Sequence, residues 1–291
     1  MRTFRTLLIL AVLASGCVRE QAPKPDFSFA FLTDIHITPD RGAPEGFRQA
    51  IDTVNALQPD FVLTGGDLIM DALWARRERA DSLYQLYLGL VKEFRMPVYN
   101  TVGNHELFAY YTRNIDTTDL DYDDGMYRKY LGDPWYSFDH KGWHFIILKS
   151  IAQTPGRTYQ GEVSREQIEW LRNDLATVDS LTPIAVSVHI PLITVYDQWR
   201  EGGQYVNGPA NVITNGREVM ELLRTRNIRL ILQGHLHLLE EMVVDGVRVI
   251  TGGAVSAGWW EGPLGRLKEG FLMLDVFGQD IRWRYVEYMQ R

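Results

Sequence analysis

The sequence reads as an α/β protein, and three observations say so. Short apolar runs at residues 27–32, 61–64, 97–102, 184–188 and 228–232 alternate with stretches of helical period. Each run stops at a polar or glycine-bearing turn rather than continuing. The chain has 291 residues, 45% apolar and 23% charged, a globular composition large enough for a substantial core.

Residues 27–32 are the first expected strand, ending in Thr33-Asp34-Ile35-His36. A helix is expected over 44–57, where Phe47, Ala50, Ile51, Val54 and Leu57 recur at helical spacing and Pro59 stops it. Residues 61–64 form a second strand ending in Gly65-Gly66-Asp67, followed by a helix over about 74–94. Residues 97–102 form a third strand, and the glycine of Gly103-Asn104-His105-Glu106 is expected to supply a tight bend.

The stretch 107–134 reads as an irregular acidic loop. A calcium loop counted from Asp119 would need glycine sixth and glutamate twelfth, where Asp124 and Tyr130 stand. Residues 135–139 and 143–149 form a hairpin around Lys141-Gly142, and Ser164 with Gln167 makes a capping box for a helix reaching about 178. The strand at 184–188 ends in His189-Ile190-Pro191, and a long loop then runs to about 214. A helix over 215–226 precedes the strand at 228–232, which ends in Gly234-His235-Leu236-His237. The remaining runs, 238–244, 247–251, 271–276 and 281–287, read as a β meander. No internal repeat or clear linker divides residues 27–291, which are expected to form one domain.

Residues 1–17 read as a targeting segment: Arg2 and Arg5, an apolar run from Leu7 to Leu13, then small residues before Cys17. The sequence Leu13-Ala14-Ser15-Gly16-Cys17 resembles a bacterial lipoprotein lipobox, although Ala14 stands where a larger aliphatic residue is usual. The resemblance implies an exported protein anchored to a membrane of the cell envelope through lipid on Cys17; the alternative is a soluble secreted or periplasmic chain. Residues 18–26, with Pro23-Lys24-Pro25, would be the tether. Cys17 is the single cysteine, so intramolecular disulfides and further thiolate ligands are excluded. The formal charge of −7 argues against bulk nucleic-acid binding, since no basic excess exists to neutralise phosphates.

Chemistry-bearing residues collect at the strand ends. Asp34 and His36 are two apart, as are His235 and His237. In extended chain such pairs face the same side and would enter one site together. Asp, His and Asn without cysteine suit Mn, Fe or Zn in mixed oxygen and nitrogen surroundings. Tyr110, Tyr111, Tyr196, Trp199, Trp259 and Trp260 lie near these loops, where they would pack the loops or stack a base. His140 and His144 fall outside the motifs and read as structural.

The ordered set Asp34-x-His36, Gly66-Asp67, Gly103-Asn104-His105-Glu106, His189-x-Pro191 and Gly234-His235-x-His237 resembles the calcineurin-like metallophosphoesterase family over about residues 30–252. The resemblance implies a four-layer α/β/β/α sandwich with two mixed sheets and a two-metal centre. Asp34, His36, Asp67 and His237 would hold one metal. Asp67 would bridge to a second, held also by Asn104, His189 and His235. His105 would serve the substrate phosphate as proton donor or charge stabiliser, and Glu106 and Asp71 would orient ligands. Two divalent ions against two carboxylates and a bridging hydroxide leave a positive centre for a phosphate ester, attacked in line by that hydroxide. Leu68-Ile69 follow Asp67 where protein phosphatases carry Arg-Gly, and Met70 replaces the tyrosine of purple acid phosphatases. The pattern is similar to bacterial cyclic-nucleotide phosphodiesterases and general phosphoesterases. It implies a phosphodiester or nucleotide substrate in preference to a phosphoprotein, with a phosphomonoester as the alternative. A non-catalytic scaffold of the same fold would be marked by lost ligands, and none is missing.

Overall fold

In the computed structural model, which describes residues 23–74 and 76–289, β1 (Phe27–Leu32) divides the molecule. Phe27, Phe29 and Phe31 point to one side, where they meet aromatic and aliphatic residues of a second sheet; Ala30 and Leu32 point to the other, among helix residues. This two-residue alternation makes one strand serve two cores.

After β1 come α1 (Ala43–Leu57), β2 (Phe61–Thr64), α2 (Arg77–Val91) and β3 (Val98–Tyr99). β1, β2 and β3 pair in parallel, so the crossing helices cover the outer face. Next are α3 (Gly125–Leu131), β4 (Tyr136–His140), β5 (Trp143–Ile147), β6 (Ile151–Gln153), β7 (Tyr159–Gly161) and α4 (Arg165–Thr177). The Ser164 hydroxyl accepts the Gln167 amide and starts α4 as the sequence leads one to expect. β8 (Ile184–Ser187), α5 (Tyr196–Glu201), α6 (Gly216–Leu223) and β9 (Ile228–Gln233) follow, then β10 (Glu240–Val244), β11 (Val247–Thr251), β12 (Gly270–Phe277) and β13 (Asp280–Glu287).

Two mixed sheets result, ordered β13-β12-β1-β2-β3 and β10-β11-β9-β8-β5-β4. Between them Phe29 and Phe61 stack at 5.0 Å, and Phe145 of the second sheet meets both rings edge-on. Burying each such ring contributes roughly 1.5–3 kcal/mol. With α1 and α2 on one side and α4 and α6 on the other, this is the expected four-layer sandwich. Among the described residues no helix is long and apolar enough to cross a membrane.

Several expectations are corrected. β3 is two residues, not six, because Asn100 to Val102 leave the sheet toward the site. The acidic stretch contains α3, whose Met126 and Tyr127 are buried; at seven residues it is too short to show helical period. The loop after β8 carries α5. The last four strands are not one meander. β10 and β11 belong to one sheet, and the chain then crosses over so that β12 pairs with β1 in the other. The hairpin of β6 and β7 has three-residue strands and left no periodic signal.

Candidate metal centre

The candidate ligands lie beyond strand ends, on the edge where β1, β2, β3, β8 and β9 finish, the usual ligand position in such sheets; Asn104 follows β3 by five residues. They do not arrive there as extended chain. Asp34, His36, Asp67, His235 and His237 have φ of 56°, 48°, 53°, 73° and 49°, all left-handed. The two-residue spacing therefore does not act through strand alternation; successive tight turns aim these side chains. Non-glycine residues so placed cost on the order of 1–3 kcal/mol each, and such strain concentrates at functional sites.

Two groups of ligand atoms form, each within 4.8 Å: Asp34, His36 and His237, and Asp67, His189 and His235. In the first, Nε2 of His36 and Nε2 of His237 are 3.0 Å apart, with Asp34 Oδ1 3.9 and 3.5 Å from them. In the second, His189 Nε2 lies 3.2 Å from Asp67 Oδ2 and 3.1 Å from Asn104 Oδ1. Asp67 Oδ2 is also 3.6 Å from His36 Nε2, so one oxygen faces both groups. His105 joins a third grouping with His36 and Asp67, its Nε2 3.8 Å from Asp67 Oδ2 and its Nδ1 3.8 Å from Asp71 Oδ2.

The hydrogen bonds show why these atoms suit cations. His189 Nδ1 donates to the Gly65 carbonyl at 2.7 Å, and His237 Nδ1 to the Ala257 carbonyl at 2.8 Å. Burial opposes a charge on His189, but the Asp67 carboxylate outweighs it and pushes the ring up to about 9; with that proton displaced, as by a cation, each Nε2 is an acceptor aimed inward. His189 Nε2, Asp67 Oδ2 and Asn104 Oδ1 thus converge as three acceptors, an arrangement satisfied by a proton or a metal ion. His36 Nδ1 and His235 Nδ1 are buried with no hydrogen-bond partner. Burial and nearby imidazoles lower His36 well below its usual range and bring His235 down to about 3, leaving both rings neutral, the ligating form. Burial opposes ionisation of Asp67, but His189 and His105 outweigh it and hold the carboxyl well below its usual range. The donor set fits two cations sharing Asp67.

The surroundings fix these groups. Thr33 donates its hydroxyl to Asp34 Oδ2 at 2.6 Å, and the His235 amide donates to the same carboxylate. The His105 amide donates to Asp67 Oδ1, leaving Oδ2 for the centre. Glu106, fully buried, accepts four amides: Asp67 (3.0 Å), Leu68 (2.7 Å), Ile69 (3.1 Å) and Gly103 (2.6 Å). Burial and the Asp67 charge push its pKa up to about 8, while the amides pull it down. Each oxygen already takes two N–H groups, so no acceptor remains for a carboxyl proton, and the geometry is that of a carboxylate. Gly103 is extended at φ −105°, so its glycine serves space rather than the expected bend; a Cβ there would collide with the Asp67 amide and carboxylate.

Of the aromatic residues singled out, Tyr110 and Trp260 are buried structural rings. The Trp260 indole donates to the carbonyls of Ile35 and His36 and ties the turn at 254–260 to the first ligand loop. Trp259 packs on His36, His105 and His237, whereas Tyr111 stacks on Tyr159, which meets His235. Trp199 is 86% exposed. Tyr159 went unremarked in the sequence because its strand gave no signal. Cys17 lies outside the described residues.

Paired carboxylate and imidazole clusters sharing an aspartate at parallel strand ends define a metal-dependent hydrolase centre. The chain matches the calcineurin-like phosphoesterase family model over residues 27–239 and belongs to that family of phosphoric ester hydrolases. A dimetal phosphatase from Danio rerio shares the fold with TM-score 0.67 at 16% identity, over 91% of this chain and 98% of that one. GAP50, the anchor in the inner membrane complex of Plasmodium, gives 0.59 at 15% identity, over 91% of this chain and 85% of that one. TT1561 of Thermus thermophilus gives 0.51 at 13% identity, over 89% and 98%. At these identities the likeness is one of fold. No curated protein sequence matches the chain.

Proposed function

We propose that the protein hydrolyses phosphodiester or nucleotide substrates at a two-metal centre. Asp34, His36, Asp67 and His237 would hold one ion, and Asp67, Asn104, His189 and His235 the other. The observation that carries this is the Asp67 carboxylate oxygen facing both clusters, with inward-aimed imidazole nitrogens on either side. Two divalent ions held by these residues would supply positive charge to a phosphate and make water a competent nucleophile near neutral pH. Manganese, iron and zinc all suit this donor set.

His105 stands at the rim, with Nδ1 toward Asp71 and Nε2 toward the cluster. It would give its Nε2 proton to the departing ester oxygen; Asp71, 3.8 Å from Nδ1, is beyond hydrogen-bond distance of the ring. Glu106 would hold the Asp67 turn. With Mn²⁺ added, bis(p-nitrophenyl) phosphate should be cleaved faster than p-nitrophenyl phosphate; the reverse order would favour a monoesterase. Asn104→Ala should lose one ion per chain. His105→Ala should keep both and lose roughly 10²–10⁴-fold in rate; loss of both ions in that variant would refute its role.

The same reading includes a lipid-anchored protein of the cell envelope, on the strength of the lipobox-like sequence ending at Cys17. Cys17→Ser should move the protein from the membrane to the soluble fraction, and retention on the membrane would refute the anchor.

A further inference from the structure

We propose that Trp259 and the row Tyr159, Tyr111 and Trp74 are two side walls of the substrate site, selecting a phosphodiester with a planar ring on each arm. This rests on the phosphodiesterase reading above.

The Trp259 ring centroid lies 4.1 Å from His36, 4.7 Å from His237 and 5.5 Å from His105, so it stands beside the first ligand group. Tyr159 meets the edge of His235 at 5.9 Å, beside the second group. Tyr111 stacks on Tyr159 at 6.3 Å, and Trp74, 68% exposed, lies 4.7 Å from Tyr111. Aromatic surface thus flanks the centre at both ends. Trp259 is not needed to fasten its own turn, because Trp260 makes the indole bonds to the first ligand loop. Its backbone, like that of Trp260, is left-handed, at φ 61°, a conformation glycine adopts without strain and a large residue does not. Arg41 donates to its carbonyl at 3.3 Å and helps keep it there. A strained, half-buried ring beside the ligands is placed to touch what they bind.

A phosphate at the centre carries one ester arm toward each wall. His105, the proposed proton donor to the leaving oxygen, adjoins Trp259. The leaving arm therefore lies against Trp259 and the retained arm against Tyr159 and Tyr111.

The test compares kcat/KM on bis(p-nitrophenyl) phosphate and methyl p-nitrophenyl phosphate, which differ only in the retained arm, with metal per chain measured for each variant. Trp259→Gly suits the left-handed backbone; Trp259→Asn, which also tolerates it, replaces it if metal is lost. Aromatic pairing of about 0.5–1.5 kcal/mol corresponds to roughly 2–12-fold. Trp259→Gly should lower both substrates by that factor. Tyr159→Leu should lower the bis-aryl ester more than the methyl ester, by roughly 2–12-fold. Equal losses on both substrates in Tyr159→Leu, or no loss in Trp259→Gly, overturn the assignment. Calorimetry gives an independent reading: the wild type should bind phenylphosphonate more tightly than methylphosphonate, and a variant carrying both Trp259→Gly and Tyr159→Leu should bind them alike. Equal affinities in the wild type refute the walls whatever the turnover. Discrimination without hydrolysis of either ester keeps the walls and refutes the phosphodiesterase.

Discussion

Glu106→Gln is the sharpest test of how the centre is held. The carboxylate joins Gly103, before the Asn104-His105 turn, to the three amides from Asp67 to Ile69. Glutamine keeps one acceptor oxygen and sets an NH2 group against two buried N–H donors. Two amides then lose their acceptor, at about 1–3 kcal/mol each, or about 2–6 kcal/mol together. Against a total stability of about 5–15 kcal/mol this is a large fraction. The same substitution frees the turn that aims Asp67, so metal retention should fall with stability. Urea unfolding followed by circular dichroism gives the first quantity, and elemental analysis after dialysis the second. A Glu106→Gln variant within about 0.5 kcal/mol of the wild type and retaining both ions would refute the positioning role.

Gly103→Ala would drive a methyl group into the Asp67 amide and carboxylate, and metal per chain should drop without global unfolding; full occupancy with unchanged activity would contradict the packing. His144 of β5 is buried, which lowers its pKa, but its bonds to Asp174 (3.0 Å) and Asp139 (2.7 Å) outweigh this and raise it. A raised folded pKa gives stability that is full below the unfolded value of about 6.5 and lost as pH climbs through the folded value. The stability difference between wild type and His144→Gln should therefore be largest below about pH 6.5 and shrink as pH rises above it; a difference independent of pH would refute the clamp.

The sequence by itself determined the alternation of elements, because short apolar runs of four to six residues and helical periods are local and survive without tertiary context. It also determined which residues meet at the centre: Asp34, His36, Asp67, Asn104, His189, His235 and His237 are all at strand ends, and parallel strands bring those ends to one edge. Short elements such as α3, α5, β6 and β7 were not legible, since fewer than two turns or three residues carry no measurable period. Only the tertiary structure decided how the ligands are aimed, by left-handed turns rather than extended chain. It also gave Gly103 its role of leaving room for Asp67, split the C-terminal strands between two sheets, and placed Tyr159 beside His235. The reason is physical: the strain at those turns is held by bonds from distant segments, Glu106 to Asp67 and Trp260 to Ile35, which no local pattern records.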